Sequence, residues 1–348
     1  MFKFFKEWYN THLTDPNQVA LALIILSISI ITYILLATVV PILVAIVLSY
    51  MLEGLVRTIK NKYHLNRNTI VMIVYFSFIA LSLLILFLLI PVMLEQISLF
   101  IKSLPSMLEK GKDLLQNYTS QHSDLITNIF SSINTEISLI GKSVISYSLS
   151  SASSILETII YILIVPILIF FLLYDKSKIN SWFTKFFPEK LDLSKKAYKE
   201  LDIKIGNYIR CKFIEIIIVW ITSTLLFSLL GLNYALLLGF LCGISVIIPY
   251  VGAIVVTVPI IFVAFFQWGT SALFWYVLVA HILIQVIDGN VVVPILFSDA
   301  VNLHPIAILI SILFFGTIWG LWGVFFAIPL AVLFNTLLNI WPRIEINT

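Results

Sequence analysis

The chain reads as long apolar runs parted by short polar ones. Between Asp15 and Glu53 there is no charged residue, and Pro41 lies past the middle of that stretch. It exceeds one span of about 20 residues and suffices for two short ones. Residues 70–94 predict a third span. Residues 155–174 predict a fourth, with Glu157 at its start and Pro166 inside, and residues 213–232 a fifth. After Glu215 no lysine or arginine occurs until Arg343, and the only acids in that interval are Asp288 and Asp299. The pattern there predicts broken spans at 234–266 and 305–340 and a more regular one at 271–297. The expectation is an all-α polytopic membrane protein with about eight crossings, some broken or re-entrant, and amphipathic helices outside the bilayer.

Two segments fall outside the apolar runs. In 95–150, Ile126, Phe130, Ile133, Ile137, Ile140, Val144 and Tyr147 recur at alternating spacings of four and three. That is a heptad stripe on one helix. It fits a helix packed on its own protomer or lying on lipid, and it also fits a contact between subunits. In 175–212, ten basic and five acidic residues surround Trp182, Phe183, Phe186 and Phe187, which suits a helix at the headgroup level. The organisation expected is one membrane transport domain over 1–348, with an external helical insertion at 95–150 and a basic cytoplasmic helical segment at 175–212.

Composition agrees with a bilayer. Hydrophobic residues make up 60% of the chain, charged residues 11%, and mean hydropathy is +1.06. Soluble domains carry about a quarter charged residues. The 21 basic residues set the orientation, because cytoplasmic loops retain lysine and arginine. Eight crossings that start inside leave 17 of them inside and four outside. This predicts both termini in the cytoplasm. Positive-inside bias accounts for the basic segments, so nucleic acid is not an expected partner. Lys3 and Lys6 precede an apolar stretch too long for a removable signal.

Several chemistries lack their residues. Cys211 and Cys242 form no spacing motif, and the histidines at 12, 64, 122, 281 and 304 are scattered, so no metal or cofactor is expected. There is no glycine loop ending in Gly-Lys-Ser/Thr, no His-Glu-x-x-His and no Gly-x-Ser-x-Gly. No positioned nucleophile and base stand out, and an enzyme is not expected.

The breaks carry the most information. Pro249, Gly252 and Pro259 interrupt "SVIIPYVGAIVVTVPIIFV" at 245–263. In lipid a broken helix must find partners for its freed carbonyls or line a wet cavity, and transporters place such breaks at substrate sites. A second broken stretch is "GTIWGLWGVFFAIPLAVLF" at 316–334. "VGAIVVTVPIIFV" aligns with "WGVFFAIPLAVLF", Gly252 over Gly323, with Pro259 and Pro329 six to seven residues later. Kinks or close-packing glycines explain the same residues. Between them, His281, Gln285 and Asp288 share one helical face, with Asn290 and Pro294 following. An acid within a span faces a cavity or a partner; near the span's far end it also serves as an interfacial anchor. Glu215 suits snorkelling or pairing with Lys212.

These stretches carry a resemblance. "YIRCKF", "IIPYVGAIVVTVP", "QVIDGNVVVP" and "LHPIAILISILFFGTIWGLWGVFFAIPLA" occur in order, and "ILVAIVLSYMLEGLV" and "FFLLYDKSKINSWFTKFFPEK" fit upstream. The chain resembles the autoinducer-2 exporter-like transporter family over essentially its whole length. It departs where that family often has Pro (Gly54), Gly-Gln (Cys211-Lys212), Gly (Ser298) and Glu (Asp288). The resemblance implies a bacterial inner-membrane protein that exports a small polar molecule such as autoinducer-2. It also implies sodium or lithium/proton antiport as an alternative, and a homo-oligomer with five subunits as the suggested number. The partners expected are the bilayer and a small-molecule or ion substrate; a non-transporting oligomeric scaffold or pore is the further alternative. The expected path runs between 245–260 and 314–330. It involves Pro249, Gly252, Pro259, Gln285, Asp288, Asn290, Pro294, His304, Pro305, Gly320, Gly323 and Pro329, with Asp288 as the coupling charge.

Overall fold

The computed structural model describes residues 36–63, 65–118, 152–184, 192–249, 251–297 and 303–340. The expected first span before residue 36 and the heptad stripe at 126–147 lie outside these residues. So do Phe186 and Phe187 of the aromatic group, whereas Trp182 is exposed on a short helix.

All regular elements among the described residues are helical. In chain order they are α1 (Leu36–Lys62), α2 (Arg67–Tyr118), α3 (Ala152–Tyr174), α4 (Lys176–Thr184), α5 (Asp192–Leu229), α6 (Ala235–Ser245), α7 (Val251–Trp268) and α8 (Ala272–Ile287). A π-turn (Asp288–Val292), α9 (Val293–Phe297) and α10 (Pro305–Ile340) follow. Five stretches are long and apolar enough to cross a membrane: Val40–Lys62, Arg67–Gly111, Asp202–Leu229, Val251–Trp268 and Ala272–Phe297. Shorter apolar helices occupy Tyr161–Tyr174, Ala235–Ser245, Pro305–Gly320 and Trp322–Val332. In lipid only internally bonded backbone is tolerated, which is why uncharged runs of this length become helices.

Three spans extend beyond their charge-defined limits: α1 runs past Glu53 to Lys62. α2 continues from the third span into the polar segment as far as Tyr118, and α5 enters the fifth span directly from the basic segment. Charges mark where a helix leaves hydrocarbon, and leaving hydrocarbon does not end a helix.

The described chain forms two compact units. One holds the described residues within 1–76, 161–211 and 297–348; the other holds those within 77–160 and 212–296. The core of the second unit joins Val219 and Phe227 of α5, Leu238 and Cys242 of α6, Val256, Ile260 and Val263 of α7, and Phe274, Val277 and Ile284 of α8. Small residues set the α5–α6 approach, as expected where lipid gives no hydrophobic advantage to packing. A Cβ on Gly239 would meet the Thr224 backbone nitrogen at 2.7 Å, and one on Gly243 the Ile216 carbonyl oxygen at 2.9 Å.

α6 begins at Tyr234, the one non-glycine residue with positive φ among the described residues (57°). Its ring packs edge-on to Phe100 at 5.3 Å. The Ser103 hydroxyl donates to Phe100 O, so the Tyr234 hydroxyl donates to Ser103 Oγ at 2.8 Å. Gln96 Oε1 accepts from Leu237 N–H, filling a helix-start donor that has no intrahelical partner.

Candidate functional site

Three stretches hold the residues expected along a path. The first is the hairpin α6–α7 in the second unit. Its break includes residues 246–249, and helix resumes at Val251. Pro249 lies in the turn and Gly252 at the buried start of α7. Pro259 lies inside continuous helix, so the interruption is narrower than the expected 249–259. Pro249 lacks a donor and disfavours helix at the preceding residue, whereas Pro259 removes one bond from an established ladder. The fold-back depends on Gly252. A Cβ there would sit 1.7 Å from the Ser245 carbonyl oxygen, seven residues earlier.

The second stretch is α10 in the first unit. It starts with Pro305 at its first position, where a missing N–H costs nothing, and His304 Nδ1 accepts from Ile306 N–H at 3.3 Å. The helix is interrupted at Gly320 (φ 59°, ψ −137°). A Cβ on Gly323 would lie 1.8 Å from the Phe315 carbonyl oxygen, eight residues back. The aligned glycines 252 and 323 thus do the same work: each admits a carbonyl from the preceding helical segment as the chain folds back. Pro329 follows inside helix, as Pro259 does, and is buried where Pro259 is half-buried.

The third stretch is α8 and its π-turn, in the second unit. Phe274, Val277, His281, Ile284 and Asp288 are buried at helical spacing, so the shared face expected for His281 and Asp288 is present. His281 ties the hairpin to α8. Thr257 donates to Ala253 O at 2.7 Å, which leaves its oxygen to accept from His281 Nε2–H at 2.8 Å. The other ring nitrogen then faces the Cys242 thiol at 4.0 Å. The neutral imidazole is satisfied from both sides, and its role is packing between α6, α7 and α8.

Asp288 is different. It opens the π-turn, where Val293 N–H donates five residues back to Asp288 O. Asn290 Nδ2 returns to Val286 O at 2.8 Å. Wide turns of this kind are rare and occur often at functional sites. Asp288 is 8% exposed, and its Oδ1 has no hydrogen-bond partner among the described residues; neither has Gln285 Nε2. Asn290 and Pro294 are exposed. Nearby, Lys212 Nζ pairs with Glu215 Oε2 at 2.8 Å, both buried. The charges of Lys212 and Glu215 each act on Asp288 or feel it. The pairing of Glu215 with Lys212 was legible from their spacing. The joining of both to Asp288 was not, since 73 residues separate Glu215 from it.

The first unit contains a separate charged group. Glu53, 6% exposed, accepts from Arg67 Nη2 at 2.8 Å and Arg57 Nε at 3.3 Å. Arg67 also donates to Leu173 O, an end carbonyl of α3. Asp202 pairs with Arg57 at 3.5 Å. Lys176 Nζ stands 3.7 Å from Glu53 and 3.9 Å from Asp202. Burial lowers the Lys176 pKa, and Glu53 and Asp202 partly offset this.

Long apolar helices, two of them broken, together with a buried and incompletely partnered acid in a span, are features of multi-pass membrane proteins of the transport class. The family described as AI-2E family transporter matches residues 20–343, and the chain belongs to that family. It is 38% identical over 347 residues to PerM of Escherichia coli (strain K12), covering 98% of each chain. It is 26% identical over 320 residues to YueF of Bacillus subtilis (strain 168), covering 88% of this chain and 85% of that one. It is 26% identical over 277 residues to sll0063 of Synechocystis, covering 76% of this chain and 69% of that one. The names of these relatives describe a permease and transport proteins, and none names a cargo.

Proposed function

We propose that this chain is a secondary transporter that exports a small polar molecule such as autoinducer-2, with Asp288 carrying the coupling proton or cation. The observation that carries the reading is the buried Asp288 on a π-turn with an oxygen left free. A buried acid without a full set of partners is costly, and a bound proton or cation offsets that cost. Alternating access would use the two fold-backs at Gly252 and Gly323 as the elements that rearrange.

Sodium or lithium/proton antiport is the second reading, and one observation favours it. The sequence offers one acid for coupling at α8, but Glu215 is buried within electrostatic reach of Asp288. Two acids and one lysine make a site that exchanges protons for a cation. We also propose a homo-oligomer in the bacterial inner membrane with both termini cytoplasmic, on the split of basic residues and the external stripe.

Proteoliposomes separate the cargo readings. Vesicles loaded with autoinducer-2 should release it faster with protein than without. Vesicles loaded with the pH dye pyranine should alkalinise on sodium or lithium addition if antiport is the activity. Neither response sinks both readings and leaves a passive scaffold.

A further inference from the structure

Asn290 stands on the π-turn two residues after Asp288, yet it is exposed where Asp288 is buried. Its amide is turned onto its own backbone: Nδ2–H donates to Val286 O at 2.8 Å, four residues back. In a regular α-helix that carbonyl takes the backbone N–H of the same residue, Asn290. The π-turn shifts the ladder by one residue, as the bond from Val293 N–H to Asp288 O records. The Asn290 side chain supplies a donor to a carbonyl just before that shift, and asparagine side chains compete with helical ladders in this way. We propose that Asn290 is a positioning residue for Asp288: by bonding Val286 O it holds the π-turn open and keeps the Asp288 carboxylate on the buried face. This role rests on Asp288 being the coupling acid, and it takes Asn290 out of direct contact with the cargo.

Burial along the chain follows the turn. Val277, His281, Ile284 and Asp288 are buried at regular helical spacing. Beyond Asp288 a straight α-helix would bring Val291, Val292 and Ile295 to the same face. Val291 and Ile295 are instead 48% and 71% exposed, while Val292, Val293, Leu296 and Phe297 are half-buried. The inward face resumes one residue late, which is what one extra residue in a turn produces. Closing the turn would move Asp288 by one helical step, about 100°, relative to the segment that follows. Gly289 imposes nothing on this choice, since a Cβ there meets no atom within 4 Å. The charges around Asp288 make its placement matter. Lys212 and Glu215 of α5 act on it or feel it, and α6 and α7 contain no charged residue. His281 lies seven residues earlier on α8, between Thr257 and the Cys242 thiol. A rotated Asp288 therefore changes its distance from Lys212 and Glu215, and its titration with it.

The test reads Asp288 without transport. Dicyclohexylcarbodiimide modifies protonated carboxyls in apolar surroundings. The full-length protein in a non-ionic detergent is treated with it over a pH series, and modification of Asp288 is read by peptide mass spectrometry. Asp288 is the only acid between Glu215 and Asp299, so the peptide is unambiguous, and Asp288→Asn serves as the blank. Asn290→Leu and Asn290→Ala, which lack the donor, should move the pH midpoint of labelling by about one unit, the usual scale for a carboxyl in altered surroundings. Asn290→Gln keeps the amide donor and should restore the wild-type midpoint. All three should keep a Tm near wild type, because the side chain is exposed. Proteoliposomes then separate this role from the coupling itself. A moved midpoint with an unmoved pH profile of autoinducer-2 efflux supports the positioning role and counts against coupling by Asp288. A wild-type midpoint in both Asn290→Leu and Asn290→Ala, whatever their Tm, makes the amide purely structural and overturns the proposal. So does an Asn290→Gln midpoint that follows those two variants, or a wild-type Asp288 that is never modified.

Discussion

Each compact unit buries a mixed cluster of charges, and the two are unbalanced in opposite senses. In the first, Glu53 and Asp202 meet three cations and Glu53 is bonded by two arginines. In the second, Glu215 pairs with Lys212, Asp288 lies within electrostatic reach of both, and Asp288 Oδ1 is left without a partner among the described residues. Burial of charge alone therefore does not identify a site. Partnering does: an acid whose oxygens are taken up by arginines is structural, and a buried carboxylate oxygen without a partner asks for a proton or cation.

The largest effect should come from removing an acid that is fully used. Glu53→Ala strands Arg67 and Arg57 beside a buried site, and breaking such a pair costs about 3–5 kcal/mol. Thermal unfolding in detergent should show a large loss of Tm. A Tm near wild type would place the cluster's stability elsewhere. Next come the fold-backs. Gly252→Ala and Gly323→Ala each push a methyl into a backbone carbonyl that cannot swing aside, for about 1–3 kcal/mol or more. Both should lose Tm and flux, whereas Gly289→Ala, with open space around it, should lose little Tm. Equal behaviour of all three would remove the argument for the fold-backs.

Thr257→Val leaves the His281 N–H without its acceptor and should cost about 1–3 kcal/mol. It should leave the pH profile of transport unchanged, because the imidazole packs and does not couple. A shifted profile would bring His281 into the coupling site.

A smaller effect separates Lys176 from its neighbours. Burial depresses its pKa in the folded protein, so the unfolded chain holds more protons between the folded and ordinary lysine values. Stability contributed by this group therefore rises with pH through that window and levels off above about 10.4. In lipid-free detergent, wild type should gain Tm relative to Lys176→Gln as pH rises towards that limit. A constant difference would contradict the burial of the ammonium.

Much of this was legible in the sequence. Uncharged runs fix which segments cross, because lipid admits few alternatives, and Pro249 marks the break. The likeness between 251–263 and 322–334 has a physical counterpart in the clearance at Gly252 and Gly323. Other features were hidden. Gly320 carries the non-helical backbone, but a sequence with glycines at 316, 320 and 323 does not say which one turns. The π-turn depends on a hydrogen bond shifted by one residue, with no composition of its own. Asp288 comes within electrostatic reach of Lys212 and Glu215 only through tertiary packing. Periodicity reports faces, and the partner of a face comes only from the fold.

The central claim is that Asp288 couples transport. Asp288→Asn keeps the shape and most hydrogen-bonding capacity and removes the charge, so it should fold with little loss of Tm. The measurement is autoinducer-2 efflux from proteoliposomes over a pH series, wild type against Asp288→Asn at matched protein amounts. A slowed, pH-flattened efflux in the variant is the predicted result; curves that superimpose across the series would reduce Asp288 to a helix anchor and contradict the claim.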